Sequence, residues 1–459
     1  MNPAQHPQVR LTRRQLLQVG GVSMLGLGLP QLLHASASSG TTRLARSNEK
    51  ACIFIVQYGG ASHVDSWDLK PDAPESVRGP YKPIATNVPG IQVGELFPQL
   101  AKQADRYCIV RSMSHRNGGH DGGMHVCMTG HSAPKPETPY FGSVMAKVRP
   151  ATRNIPSYVW LQNLAGDVKP LYLTGGFLGA AYSPLRIGHD LDNPSNPNFK
   201  VTALDPPTDI PPERLHERHD LLAALEPTSS PWLQAPSTGN LRRFQERAVE
   251  LVAGPDARRA FNLDLESATL RDRYGRHPLG QNLLMARRLI EGGVRLVSVV
   301  AWTGVPPGDK FNNVQTWDMH GGGLGGIFGK GQHGLGWALP NTDQAVSALL
   351  ADLADRGLLD QTLVVMVGEF GRSPNMSGTG RDHWPACYSA MLAGCGIRGG
   401  RVWGASDNRG GYVKDNPVSP EDFGATLFTA LGVTPETRLG ADGFTHPASE
   451  GKPLLDLFG

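Results

Sequence analysis

The run Cys52-Ile-Phe-Ile-Val56, followed by Gln57-Tyr58 and then Gly59-Gly60, decides the fold. Consecutive apolar residues, mostly β-branched or aromatic and without polar alternation, describe a strand buried on both faces. The two glycines let the chain leave that strand through a tight loop. Runs of the same kind recur at Tyr107 to Val110, Tyr158 to Leu161, Val294 to Ala301, Thr362 to Val367 and Tyr388 to Leu392. Between several of them, Leu96 to Arg106, Leu241 to Val252, Asn282 to Glu291 and Thr342 to Arg356 carry apolar residues at three- and four-residue spacing, which predicts helices. Strands alternating with helices predict an α/β fold, a three-layer sandwich around a mostly parallel central sheet, with its chemistry beyond the carboxyl ends of the strands.

Ser419-Pro420-Glu421-Asp422 is a helix start, a cap followed by a first-turn proline and acids, and predicts a closing helix to Leu431. The Pro-rich stretch 204–236 interrupts the alternation, and 190–275 reads as a helical insertion within a domain spanning 51–459. No internal repeat is evident.

Hydrophobic residues make up 39% of the 459 and charged residues 19%, which excludes a disordered chain. Residues 1–37 contain no acid, three arginines (Arg10, Arg13, Arg14), an apolar run from Val19 to Leu33 and a small-x-small site at Ala35-Ser36-Ala37. These are the parts of a secretory signal peptide, and Thr12-Arg13-Arg14-Gln15-Leu16-Leu17 adds a twin-arginine signature. The plainer alternative is an amphipathic or core helix that happens to begin Arg-Arg. The signal predicts export to the periplasm or outside the cell, with the twin-arginine translocase as partner and 38–50 as a linker. The formal charge of +3 resides there: 44 basic residues less these three leaves 41, against 41 acids. A balanced mature chain gives no footprint for nucleic acid, and no later segment is apolar enough for a transmembrane anchor. The five cysteines (Cys52, Cys108, Cys127, Cys387, Cys395) form no Cys-x-x-Cys pair, and none is assigned to a bridge.

Four loops combine carboxylate with imidazole. Gly59-Gly-Ala-Ser-His63-Val-Asp65-Ser-Trp-Asp68 follows the first strand. Ser114-His115-Arg-Asn-Gly-Gly-His120-Asp121-Gly-Gly-Met-His125 follows the second, and a helix beginning near residue 120 would put Asp121 and His125 on one face. Trp317-Asp318-Met-His320 places an acid and an imidazole two apart, on one side of an extended segment. In Gly368-Glu369-Phe-Gly371-Arg372 a carboxylate directly ends a buried strand, and Gly380-Arg381-Asp382-His383 comes soon after. Each loop has a plain reading: acids cap turns, histidines satisfy carbonyls, and Arg372 pairs with Glu369. Together they point to a shared polar centre of nitrogen and oxygen donors, holding one or two divalent ions.

The Gly59-Gly-x-Ser-His-x-Asp65-Ser-Trp pattern, the Gly119-His-Asp-Gly-Gly-Met-His125 region, Trp317-Asp-x-His320, Gly368-Glu-Phe-Gly-Arg-Ser-Pro374 and Gly380-Arg-Asp-His-Trp384 resemble the DUF1501 family of exported bacterial proteins. That family looks like a distant branch of the alkaline phosphatase and sulfatase superfamily, which implies the same sandwich. Leu358 to Glu369 is similar to the sulfatase run that ends in a metal-binding Asp-His-Gly. The resemblance therefore implies a metal acid at Glu369, with Phe370 in place of the histidine. It likewise implies metal ligands at Asp318, His320 and His383, and at Asp65 in place of the acid expected where Tyr58 stands. Counting back from Met128-Thr129-Gly130, the nucleophile position holds His120, so ordinary sulfatase chemistry through a hydroxyl or modified cysteine is not implied.

Two functions follow. The first is a metal-dependent hydrolase of a small anionic or carbohydrate-linked phosphate or sulfate ester. Asp65, Asp318, His320, Glu369 and His383 would bind zinc, manganese or calcium, which the sequence does not distinguish. His120, with His125 beside it, would act as nucleophile or general base, and Arg372 or Arg381 would neutralise the substrate. The second is a non-catalytic exported binding or assembly protein on the same scaffold.

Overall fold

The computed structural model describes residues 50–164, 175–204, 254–440 and 445–459, with scattered positions from 214 to 249. The expected signal peptide at 1–37, nearly all of the expected linker, the helix expected at Leu241 to Val252 apart from positions 248 and 249, and most of the middle of the expected 190–275 insertion lie outside the described residues.

Among the described residues eight strands form one sheet: β1 Ala51–Val56, β2 Tyr107–Met113, β3 Tyr158–Leu161, β4 Leu185–Ile187, β5 Leu296–Val300, β6 Thr362–Val367, β7 Tyr388–Ala393 and β8 Arg401–Trp403. Their spatial order is β8-β2-β7-β6-β1-β5-β3-β4. β1 lies at the centre, parallel to β5 (Cys52 beside Leu296) and to β6 (Cys52 beside Leu363). β7 alone runs antiparallel to its neighbours β2 and β6.

Alternation along β1 explains the continuous apolar run. Ile53 and Ile55 enter one core, while Cys52, Phe54 and Val56 enter the other. The first core packs against helices α3 (Pro255–Phe261), α4 (Ala268–Tyr274), α5 (Pro278–Gly292) and α6 (Leu335–Asp355). The second packs against α1 (His120–Thr129), α2 (Phe141–Val148) and α7 (Pro420–Ala430). The result is the expected three-layer α/β sandwich with a mostly parallel sheet. All five cysteines are buried free thiols. Among the described residues no helix is long and apolar enough to cross a membrane.

Local signals set most boundaries. The Ser419 side chain accepts the Asp422 N–H at 3.1 Å and caps α7, with Pro420 at its first position. His277 caps α5 before Pro278 in the same way. The helix expected over Leu96 to Arg106 shrinks to one turn at Pro98–Ala101 and a 3-10 turn at Ala104–Arg106, because the chain must reverse into β2. Asp343 of α6 holds that short turn by accepting the N–H groups of Gln99 and Leu100. At the described end of the stretch expected as an insertion, α3 and α4 are part of the helical layer, with Ala257, Ala260, Phe261 and Tyr274 in the first core.

This layer encloses a charged network unmarked by any sequence motif. The fully buried Arg287 meets Asp352 at 2.8 Å, Glu291 at 2.9 Å and Glu266 at 3.0 Å, and Tyr274 donates to Asp352 at 2.9 Å. Burial acts to raise the Asp352 and Glu266 carboxyls, but the guanidiniums around them hold both below their ordinary values. Replacing Arg287 by Met strands these acids, and we expect a loss of about 3–5 kcal/mol in urea unfolding at neutral pH. Carboxylates with depressed values contribute stability above their ordinary pKa and lose it as pH falls through the folded-state value. The R287M variant should therefore show a shallower loss of stability on acidification than the wild type, measured by unfolding across the acid range.

Candidate metal centre

All the strand ends that matter open on one edge of the sheet. β1, β2, β5 and β6 finish there, and the antiparallel β7 starts there, so His383 reaches from the segment before β7 the edge that Glu369 reaches from the end of β6. His120 opens α1 after the loop that leaves β2, and Asp318 and His320 lie on the long connection between β5 and α6.

One atom is the focus. Asp318 Oδ1 lies 3.1 Å from His320 Nε2, 3.2 Å from His383 Nε2, 3.3 Å from His120 Nε2 and 2.7 Å from Arg372 Nη2. His320 Nε2 and His383 Nε2 are themselves 2.9 Å apart. The opposite ring nitrogens face acceptors: His120 Nδ1 donates to Glu369 Oε1 at 2.8 Å, His383 Nδ1 donates to the Gly118 carbonyl at 2.7 Å, and His320 Nδ1 lies 3.5 Å from Asp382 Oδ1. With each Nδ1 turned outward to an acceptor, the three Nε2 atoms converge on a carboxylate oxygen, where unprotonated rings would set lone pairs against it. Such lone pairs repel unless a positive charge sits among them.

Without an ion, a proton on His120 supplies part of that charge. Burial pulls the His120 pKa down, but the adjoining Asp318 and Glu369 carboxylates outweigh it and hold it up at about 9. Burial acts to raise the Asp318 carboxyl, and His120, His383 and the Arg372 guanidinium hold it well below the carboxylate range. His120, Asp318 and His383 each bring a ligand atom within 4.8 Å of the others. His120 Nε2 and Glu369 Oε2 are buried without a hydrogen-bond partner. A nitrogen-rich set with one carboxylate and a buried, unpartnered Nε2 suits a divalent ion of the zinc or manganese kind.

Phe370 lines the cluster, its ring centroid 5.3 Å from that of His120 and 4.3 Å from that of His383. The open side is formed by His320 and the exposed Asp382.

Several residues singled out in the sequence lie elsewhere or act otherwise. Asp65 is away from the cluster, buried in a two-point ion pair with Arg381 (2.8 and 3.0 Å) and accepting the Ser62 hydroxyl at 2.5 Å. His125 faces Tyr140 from the buried side of α1, their rings 5.8 Å apart. Arg372 pairs with Asp318 rather than Glu369. It is fully buried, and its nitrogens donate to the carbonyls of Gly59, Gly60, Trp317 and Arg381 as well as to Asp318. Arg381 is likewise buried, donating to Asp65 and to the carbonyls of Val77, Ser373 and Pro374. Neither arginine has a nitrogen to offer a substrate, because carbonyls buried at loop crossings must find donors. Glu369 lies behind His120, and its Oε1 also accepts the Gly59 N–H at 2.8 Å. The Gly118 carbonyl that orients His383 carried no sequence signal, since a backbone acceptor has no residue identity.

Gly59 has φ +113°, and a Cβ there would meet Asp318 N at 2.1 Å. Only glycine lets the β1 loop lie against the Asp318 backbone.

The sequence model of a family described as "Protein of unknown function (DUF1501)" matches residues 49–457. No curated protein matches. Among solved structures, a protein in the alkaline phosphatase superfamily from Vibrio parahaemolyticus is similar at 12% identity and a TM-score of 0.36, over 84% of this chain and 67% of that one. A phosphonate monoester hydrolase from Silicibacter pomeroyi gives 13% and 0.33, over 90% and 76%. A sulfatase from Pseudoalteromonas sp. gives 12% and 0.32, over 95% and 77%.

Arg372→Lys tests the loop clamp. A single ammonium cannot reproduce the planar fork, so at least one buried carbonyl loses its donor. We expect a destabilisation of at least about 1–3 kcal/mol in chelator-containing buffer, where metal binding does not contribute, read by urea unfolding.

Proposed function

The chain belongs to the DUF1501 family, and from that premise we propose that it is an exported, metal-dependent hydrolase of a phosphate or sulfate ester. The observation that carries the reading is the convergence of three imidazole Nε2 atoms on Asp318 Oδ1 within 3.3 Å. His120, Asp318, His320 and His383 would hold the metal; Asp65 and His125 have no part in it. A divalent ion bound there polarises an ester oxygen and lowers the pKa of bound water toward neutrality. Substrate enters past His320 and Asp382. Asp382, exposed and 3.5 Å from His320 Nδ1, keeps that ring turned toward the site. His120 stands where the resemblance expects a hydroxyl or thiol, and both its nitrogens face carboxylates, so water rather than this side chain attacks the ester. Phe370 presents hydrocarbon where a second histidine ligand would be, which supports one ion rather than two.

The burial of Arg372 and Arg381 favours one second reading, a non-catalytic exported binding or assembly protein on the same scaffold, with or without a metal. Elemental analysis of the purified protein separates the possibilities. We expect about one equivalent of a divalent metal, turnover of 4-nitrophenyl phosphate, 4-nitrophenyl sulfate or a phenylphosphonate ester, and loss of metal and turnover together in His383→Ala. A wild-type protein without metal overturns the hydrolase reading. Metal retained without turnover of any of these esters overturns the hydrolase and leaves the binding protein.

Export rests on the Arg13-Arg14 signature and the apolar run after it. Changing both arginines to lysine should leave an uncleaved precursor in the cytoplasm, whereas the wild type reaches the periplasm or medium by the twin-arginine route, as cell fractionation would read.

A further inference from the structure

We infer that Glu369 is a positioning residue acting through His120, and that the imidazole rather than this carboxylate is the ligand from this side of the site. The inference rests on the cluster being a metal centre. Glu369 lies two residues past the end of β6, and its side chain is fully buried. It is fixed at both ends. His115 Nε2 donates to its carbonyl at 2.6 Å, with His115 Nδ1 in turn accepting the Asn117 N–H at 3.0 Å. On the side chain, Oε1 accepts the Gly59 N–H and the His120 Nδ1–H, both at 2.8 Å.

With Nδ1–H committed to Glu369, Nε2, the atom that faces Asp318, is the nitrogen left for a metal to take in exchange for its proton. The other two imidazoles follow the same rule, with Gly118 behind His383 and Asp382 behind His320. An acceptor behind each ring fixes the tautomer and raises the basicity of the inward nitrogen. Of the three acceptors, only Glu369 combines full burial with charge. It is also tied to the Gly59 N–H, at the point where the β1 loop touches the Asp318 backbone, so it sets His120 and Asp318 in one register. Glu369 Oε2 is buried and has no hydrogen-bond partner, so the test must distinguish a direct ligand from a group that acts through its neighbour.

The experiment is titration of the full-length mature protein with Zn²⁺ against a competing chelator, and with Co²⁺ followed by its visible spectrum. The variants are Glu369→Gln, Glu369→Ala, His120→Ala and the double variant, each checked for folding by near-ultraviolet circular dichroism. The Gln amide oxygen still accepts the His120 Nδ1–H, so Glu369→Gln should bind Zn²⁺ within a few-fold of wild type and keep the Co²⁺ spectrum. Glu369→Ala should weaken binding by about 10–100-fold, in the range typical for lost outer partners of metal-bound histidines. In the His120→Ala background the Glu369→Ala change should add nothing. If Glu369→Gln loses metal as completely as His120→Ala, or the two alanine changes add in full, Glu369 is itself a ligand and the inference fails. Wild-type affinity in a folded Glu369→Ala also overturns it. A wild type that binds neither ion defeats the metal-centre reading and this inference together, an outcome distinct from any confined to Glu369.

Discussion

The guanidinium of Arg372 holds the rest of the site in place. It donates to the carbonyls of Gly59 and Gly60 after β1, of Trp317 before Asp318, and of Arg381 before His383, and it pairs with Asp318 itself. Three loops from distant parts of the chain thus share one planar donor group. Loops that cross beneath a surface leave carbonyls that water cannot reach, and a fork of fixed donors satisfies several at once. With His120 and His383, the same group keeps Asp318 ionised. A second buried arginine, Arg381, does for Asp65 and the neighbouring loop what Arg372 does for Asp318. Conserving the geometry of the centre and neutralising its carboxylates are therefore one task, performed from behind by arginines that never reach the opening.

The direction of β7 matters as much. Were it parallel like its neighbours, the segment before it would emerge at the far edge of the sheet. Reversed, it delivers His383 beside His320 and Phe370. The polar centre is built from strand ends, as expected for an open α/β sheet, but one contribution arrives from the start of a strand. On the other side of the molecule the Arg287 network joins α4, α5, α6 and Glu266, and belongs to the framework alone.

Much of the sandwich was legible because its signals are local. Uninterrupted apolar runs describe strands buried on both faces, and Ser419-Pro420 and His277-Pro278 mark helix starts by chemistry within one turn. The site was legible by type: Asp318, His320 and His383 do converge, and His120 joins them. Asp65 and His125 show where type fails. Each has the right functional group on a suitable loop or helix, but Asp65 meets a buried arginine and His125 turns toward Tyr140.

What the sequence alone determined is the layer order, the strand positions and the set of donors, since these depend on periodicity and residue type. The tertiary structure decided which donors meet. Arg372, expected to face a substrate, donates to buried loop carbonyls and to Asp318, and Glu369, expected among the metal ligands, accepts the Gly59 N–H and the His120 Nδ1–H. The cause is physical: whether a charged side chain faces a substrate or a stranded carbonyl depends on loop crossings hundreds of residues apart in the chain, and no local pattern encodes them. The tautomer of each imidazole is set in the same way, by whichever acceptor the fold brings to its outer nitrogen.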